Sequence, residues 1–458
     1  MTNSTTGSEK QGDERDVFRV ATVAAVAASI EWYDFFIYGT AAALVFPALF
    51  FPGQSAVAGA LLSFATFGVG FLARPVGGVI FGHYGDLIGR KKTLVAALIL
   101  MGVASTLIGL LPTYAVIGVA APIILVALRF LQGVAVGGQQ GGVVLLAAEG
   151  SPPRRRGFYG SFASVGAPGG VVLANLTFLL ITATVSPAAF QSWGWRVPFL
   201  VSLVLIGLGI YIQLRLEDTP AFKRLQQART APEAASGSGG DAAPARRSPV
   251  LEAFRLYPRQ VALSAGAYLA VNMTYYVFIT FVISYGTKNL KLSQTTVLTA
   301  VLIASALQIL TLPAAGAMSD RFGRRGVFMA GAVLLGVFSF GFWPMVDTAS
   351  FPLILVALVI GLGLFHSMMY GPQPAFFAET FSTAVRYSGV SLGIQIGSVL
   401  GGAFAPLIAT ALLAEFGSSL AIGVYMAVAC AITLVSVLLL TETHRSDIDA
   451  PHRDRVRG

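Results

Sequence analysis

Twelve times along this chain an almost uncharged apolar run reaches the ~20 residues that an α-helix needs to cross the hydrocarbon layer of a bilayer. Broken at polar, Gly or Pro clusters, the runs fall at about 17–47, 55–82, 92–112, 116–148, 157–184 and 195–217, then 258–287, 294–319, 326–346, 351–379, 384–414 and 417–441. Lipid offers no partners for backbone N–H and C=O groups, so runs of this length must satisfy them internally as helices. The expected fold is therefore all-α, an integral membrane protein of twelve transmembrane helices. Only 11% of the 458 residues are charged, against about a quarter in a soluble domain. The mean hydropathy of +0.75 agrees.

A formal charge of +9 would suit nucleic acid, but its distribution does not. Lys and Arg gather at Arg90 to Lys92, Arg154 to Arg156, Lys223 to Arg259, Arg321 to Arg325 and in the C-terminal tail. The alternate connections are nearly bare, with Lys288 and Lys291 the main exceptions. That asymmetry orients a membrane protein with its basic loops inside. An even number of spans then puts both termini in the cytoplasm, and no nucleic-acid partner is expected. The first 16 residues are polar and of mixed charge, unlike a cleaved signal peptide. Cys430 is alone, so no internal disulfide forms.

The stretch 222–257 contains "APEAASGSGGDAAPARRSP", a composition that gives a flexible linker. It divides the chain into an N-terminal tail (1–16), a first six-helix half (17–221), the linker, a second half (258–441) and a C-terminal tail (442–458), with tails and linker cytoplasmic. The halves echo each other. "GHYGDLIGRKK" at 82–92 returns as "GAMSDRFGRR" at 316–325, aligning Gly82, Asp86, Gly89 and Arg90 with Gly316, Asp320, Gly323 and Arg324. "AAEGSPPRRRG", with Glu149 and Arg156, returns as "FAETFSTAVRY", with Glu379 and Arg386 at the same separation. Parallel six-helix repeats related by an axis along the membrane normal are a transporter plan with its site between the halves.

These phrases resemble the major facilitator superfamily, whose loop motif lies between helices 2 and 3 and again between helices 8 and 9. "RFLQGVAVGG" (129–138) is similar to that superfamily's helix 4 motif. "EWYDFFIYG" (31–39), "RPVGGVIFGHYGD" (74–86) and "YGPQPAFFAETFSTAVRYSG" (370–389) resemble its metabolite:proton symporter family. Where members of that family usually carry a glutamate after the double glycine of helix 4, this chain has Gln139 and Gln140. The resemblance implies two halves related by pseudo-twofold symmetry, with helices 1, 4, 7 and 10 lining a central cavity.

The motif glycines allow close backbone approach and a tight turn. Asp86 is placed to accept hydrogen bonds from a neighbouring helix N-terminus, where the dipole favours an anion. The resemblance implies that this helix is helix 11, in the other half. Arg90 would pair with a nearby carboxylate. Gly82, Asp86, Gly89, Arg90, Glu149, Arg156, Asp320, Arg324, Glu379 and Arg386 thus form a candidate latch that breaks and reforms as the halves rock.

Ionisable residues inside a bilayer cost about 2.5–3.5 kcal/mol each on insertion scales, which makes each a functional candidate. Helix 1 carries Glu31, Asp34 and Tyr38 on one face, expected to point at the cavity. Helix 4 sets Arg129, Gln132, Val136 and Gln140 along one stripe, interleaved with Gly133 and Gly137 for close packing. Asp34 and Arg129 are expected to pair as the proton-coupling site. An anionic substrate that engages the arginine would leave the aspartate to take up a proton. Glu31 is either a second proton site or a structural partner of Arg74 in helix 2. Substrate contacts are expected from Tyr38, Arg74, Arg129, Gln132 and Gln140 in the first half. In the second they are expected from Asn272, Tyr275 and Tyr276 on one face of helix 7 and His366, Tyr370 and Gln373 on one face of helix 10. His366 is either a titrating group or a satisfied hydrogen-bonder.

No paired-His metal motif, Ser–His pair or nucleotide-binding loop occurs, so neither enzyme, metal nor cofactor is expected. The leading expectation is proton-coupled symport of a small carboxylate-bearing metabolite by a monomer in the cytoplasmic membrane. The alternatives are import of a zwitterionic osmolyte, or proton antiport that exports drugs or metabolites. "GAPGG" at 166–170 faintly resembles the glycine–proline motif of exporters.

Overall fold

A computed structural model describes residues 5–88, 90–149, 152–217, 255–382 and 385–444; within these, the side chains of 5–17, 82–83, 85–91, 138–149 and 213–217 and a few single residues are outside the description. The described chain is helical throughout, without strands. Its long helices are α1 (Thr5–Leu44), α2 (Ala56–Ile88), α3 (Arg90–Leu110), α4 (Ala120–Glu149), α5 (Arg156–Thr184) and α6 (Val197–Glu217). The second half contributes α7 (Pro258–Lys288), α8 (Gln294–Phe322), α9 (Arg324–Asp347), α10 (Phe351–Thr380), α11 (Arg386–Phe416) and α12 (Leu420–Leu439). Eleven of them are long and apolar enough to cross a membrane, at the positions the hydropathy predicts. The twelfth, α1, carries Glu31 and Asp34 in its apolar part. Its helical backbone begins at Thr5 rather than at 17, since no proline interrupts the polar lead-in. Most of the expected linker, and the C-terminal tail beyond 444, lie outside the described residues.

Within the first half, α2 and α4 meet backbone to backbone. A Cβ on Gly77 would collide with the Val134 carbonyl, and one on Gly137 with the Arg74 carbonyl. The "GAPGG" stretch does the same against α1, where Gly166, Gly169 and Gly170 face Ala28, Ser29 and Trp32. It is a packing surface here, which accounts for its small residues without an exporter motif.

The halves touch near both ends. Toward the end bearing the arginine clusters, α5 runs against α8, with Gly157 and Gly316 in mutual backbone contact. Nearer the opposite end, Gly68 of α2 abuts the Ala403 carbonyl of α11, and Gly39 of α1 abuts Thr280 of α7. Asp34, Arg74, Arg129, Gln132 and His366 are buried between these contacts or within one half.

Three helices are interrupted by π turns: α7 at Val277–Phe281, α10 at Val359–His366 and α11 at Val399–Ala403. All three belong to the second half. In addition α10 breaks between Tyr370 and Gln373, where Gly371 and Pro372 intervene.

Candidate transport site and latch

Two arginines lie at the centre of the first half. The Arg129 guanidinium sits 4.1 Å from the centre of the Phe35 ring, 4.2 Å from Tyr38 and 4.8 Å from Phe67. Its Nε rests on Gly70, where a Cβ would come within 2.6 Å. The Arg74 guanidinium covers the other rings, 4.5 Å from Phe35, 4.2 Å from Phe71 and 5.6 Å from Trp32. Quadrupoles of desolvated rings stabilise a cation by about 2 kcal/mol or more. They leave N–H groups unused, and Nε and Nη2 of both arginines lack a hydrogen-bond partner. The rings that cover Arg129 all belong to the first half, and Tyr276 of the second half lies within reach of its charge. Arg74 faces Tyr268, Tyr276 and Tyr370 of the second half.

Asp34 differs from expectation. Both its carboxylate oxygens are buried without a hydrogen-bond partner, and it makes no ion pair with Arg129. A chain of polar groups runs from Arg129 toward Asp34 instead and stops at Ser105. Arg129 Nη1 donates to Gln132 Oε1 at 3.1 Å, and Gln132 Nε2 donates to Ser105 Oγ at 2.7 Å. The hydroxyls of Ser105 and Ser202 stand beside Asp34, outside hydrogen-bond geometry in this conformation. The face holding Asp34 and Tyr38 therefore turns toward α2, α3 and α6, with Tyr38 donating to Thr66 Oγ1 at 2.7 Å. Phe35 and Phe36, packed on Tyr275 and Tyr276, occupy the side turned to the second half. Glu31 is partly exposed and makes no ion pair with Arg74. Gln140 lies outside the described side chains.

In the second half, Asn272 donates to Ser398 Oγ at 3.4 Å and leaves Oδ1 unused, as are the Tyr275 hydroxyl and Gln373 Nε2. Tyr276 packs 5.1 Å from Phe71, joining this cluster to the Arg74 cage. His366 is a correction. Its Nδ1 contacts Gln308 Nε2 at 2.8 Å and its Nε2 contacts the Val271 carbonyl at 2.8 Å. Those partners fix the tautomer with hydrogen on Nε2 and leave neither nitrogen for substrate. The ring supplies a stacking face for Tyr275 at 5.3 Å.

The second-copy residues of the candidate latch come together. Asp320, at the end of α8, accepts from Gly157 N at 2.8 Å and Phe158 N at 2.9 Å, capping α5 of the opposite half. Arg324 holds the same carboxylate at 2.6 Å and also reaches Glu379 at 3.3 Å. Glu379, buried on α10, receives Arg156 from the first half at 3.4 Å and the Thr443 hydroxyl at 2.7 Å. Gly323 joins α8 to α9 with a φ of +93°, and a side chain there would strike Glu442. Arg386 donates to the Phe381 carbonyl. Of the first-copy members, Arg156 joins this cluster, and Gly82, Asp86, Gly89, Arg90 and Glu149 lie outside the described residues or side chains.

Glu442 was not anticipated. It accepts from the amides of Arg324 and Arg325 at 3.0 Å each, capping α9, and from those of Thr443 and His444. Burial alone would raise its pKa, but these four donors hold the carboxyl below its ordinary value. A depressed folded-state pKa means the cap contributes fully above the ordinary glutamate range and is lost only as pH falls through the lowered value. It stays in place at neutral pH.

Asp320→Asn should slow turnover roughly tenfold, because the neutral amide loses the charge that favours the α5 N-terminus and Arg324. KM should stay within about twofold, since Asp320 is remote from the central arginines. Initial uptake rates across substrate concentrations measure both, and a pure KM effect would contradict a conformational role.

The sequence profile of the family described as "Sugar (and other) transporter" matches residues 20–453. The chain belongs to that family. It is a multi-pass membrane transporter of small molecules, not an enzyme, and falls among the metabolite:proton symporters of the major facilitator superfamily. It is 37% identical to the inner membrane metabolite transport protein YhjE of Escherichia coli over 94% of this chain and 95% of that protein. It is 38% identical to the Escherichia coli shikimate transporter over 93% and 95%, respectively. The proline/betaine transporter of the same organism is 34% identical, covering 94% of this chain and 85% of that one. In fold, it matches the crystal structure of a D-xylose–proton symporter with a TM-score of 0.70 at 17% identity, over 94% of this chain and 99% of that one.

Sequence reasoning grouped most of this transporter's central polar residues but missed Ser105, Ser202 and Gln308, single polar residues in apolar helices that carry little signal. The phenylalanines of the arginine cage were equally hidden. Phe35, Phe67 and Phe71 look like ordinary packing residues until two guanidiniums are seen lying on them.

Proposed function

We propose that this transporter imports a small organic acid together with protons across the cytoplasmic membrane, acting as a monomer with the basic loops and both termini in the cytoplasm. The observation that carries the reading is Asp34, a buried carboxylate without a hydrogen-bond partner, beside which the Arg129–Gln132–Ser105 chain ends. An ionised carboxylate so placed is costly, and taking up a proton relieves that cost. Arg74, with unused N–H groups facing the second half, receives the substrate's carboxylate. A negative charge there rebalances Arg129, and the Gln132–Ser105 chain conveys the change to Asp34. Proton and anion then cross together, and the carrier resets after both leave.

The test is proton entry into proteoliposomes holding a pH dye, as organic acids are added outside. Acidification that depends on the solute, saturates and persists after correction for passive entry in protein-free vesicles is expected. Solute entry without any proton movement would remove the coupling. Proton release on adding amphipathic drugs to the opposite face would replace import by export.

A further inference from the structure

The last carbonyls of α12 are held from two sides. Arg259, in the first turn of α7, donates Nη2 to the Leu439 carbonyl at 3.5 Å. Arg325, in the first turn of α9, donates Nη2 to the Leu438 carbonyl at 2.5 Å. Open carbonyls at a helix C-terminus carry partial negative charge, which draws both guanidiniums to one place. Each side chain spends a single nitrogen there. Among the described residues, neither guanidinium pairs with a carboxylate. Glu442, which follows α12, is occupied by the backbone amides of Arg324, Arg325, Thr443 and His444. Arg259 is exposed and Arg325 partly so.

The surface leading to this pair is apolar. Val428, Ile432, Val435 and Leu439 follow one another at helical spacing on the spanning helix α12, and all are exposed. An outward face of this kind on a spanning helix lies against acyl chains. The two guanidiniums stand at its end, where the head of such a lipid would be. Basic residues at the end of a span orient a protein wherever they occur. These two differ from that background in being fixed on adjacent carbonyls, from two different helices. A side chain already held in place loses less freedom on taking a ligand, and a guanidinium fork matches phosphate oxygens.

We propose that Arg259 and Arg325 form a binding site for the phosphate of an anionic phospholipid, whose acyl chains lie along the outward stripe of α12. Basic pockets between spanning helices suit such headgroups. A zwitterionic head brings its own ammonium group, which the two arginines repel, so the site selects for net negative charge. A bound headgroup ties the ends of α7 and α9 to α12, beside the Glu442 cap.

Lipid retention by the purified full-length protein tests the site. Native mass spectrometry counts the lipids kept from detergent holding equal amounts of phosphatidylglycerol and phosphatidylcholine with matched chains. The unsubstituted protein should favour phosphatidylglycerol at least ~10-fold, since each arginine at a membrane surface contributes about fivefold. Arg259→Gln should cut that preference by about fivefold. The residue is exposed and gives up one 3.5 Å bond, so the protein should fold normally. Arg19→Gln removes an equal charge from an exposed position on α1 and should leave the preference unchanged. Glycerol 3-phosphate, which has no chains for the stripe, should not displace the lipid. Equal retention of the two lipids by the unsubstituted protein would overturn the proposal, as would an unchanged preference in Arg259→Gln. The same loss in Arg19→Gln would reduce the site to general surface charge, and displacement by glycerol 3-phosphate would make it a site for free phosphate esters. Either outcome would overturn it too.

Discussion

Asp34→Asn is expected to abolish accumulation of substrate against its gradient while leaving exchange of labelled for unlabelled substrate across the membrane. Asparagine preserves the size of the group beside Ser105 and Ser202 but cannot gain or lose a proton. The side chain has no hydrogen bond to lose, so structural damage should be slight. Removing a costly buried carboxylate should, if anything, raise the thermal midpoint. Loss of a full coupling step takes concentrative uptake to background, the largest functional effect expected of any single substitution here. A mutant that still accumulated substrate normally would end the coupling role of Asp34. One that lost exchange as well would move Asp34 from coupling to binding.

Glu379→Ala should produce the largest loss of stability. The residue is buried, as are its partners Arg324 and Arg156, with side-chain exposures of 1% for Glu379, 1% for Arg324 and 6% for Arg156. Removing one member of such a cluster strands the others and typically costs about 3–5 kcal/mol. Arg324 retains Asp320, so the lower end of that range is expected. Thermal unfolding in detergent should show a fall of several degrees, with Arg156→Ala giving a smaller one because its contact with Glu379 is a single 3.4 Å bond. An unchanged midpoint for Glu379→Ala would mean that the cluster contributes nothing net to the fold.

The helix count and nearly all helix positions were legible because hydropathy and breaker residues register the same constraint that lipid imposes on the backbone. The grouping of the second-copy charges was legible for a different reason. The duplicated phrases marked Asp320, Arg324, Glu379 and Arg156 as a set, and the structure brings that set together. What periodicity could not supply was the rotation of α1. A 3.6-residue repeat groups Glu31, Asp34 and Tyr38 but does not say which neighbour that face meets. The rotation is decided by bulk, since Phe35 and Phe36 fill the boundary with Tyr275 and Tyr276 and send Asp34 toward the serines. His366 was open for a similar reason. Its two partners, Gln308 and the Val271 carbonyl, come from other helices and leave no local trace.

The π turns of α7, α10 and α11 set the two halves apart. A π turn carries i→i+5 bonds in place of i→i+4, a local departure from the α-helix that is frequent at functional sites. The first half has no such joint among its described residues, and its α2–α4 and α1–α5 seams are closed backbone to backbone. The second half is packed as closely, with Gly397 and Gly401 against the α7 backbone, so the difference between the halves lies in the joints alone. Tyr275, Tyr276 and Gly402 lie next to or within these joints, at the boundary between the halves. Twofold ancestry has left two halves of similar outline and unequal helical regularity.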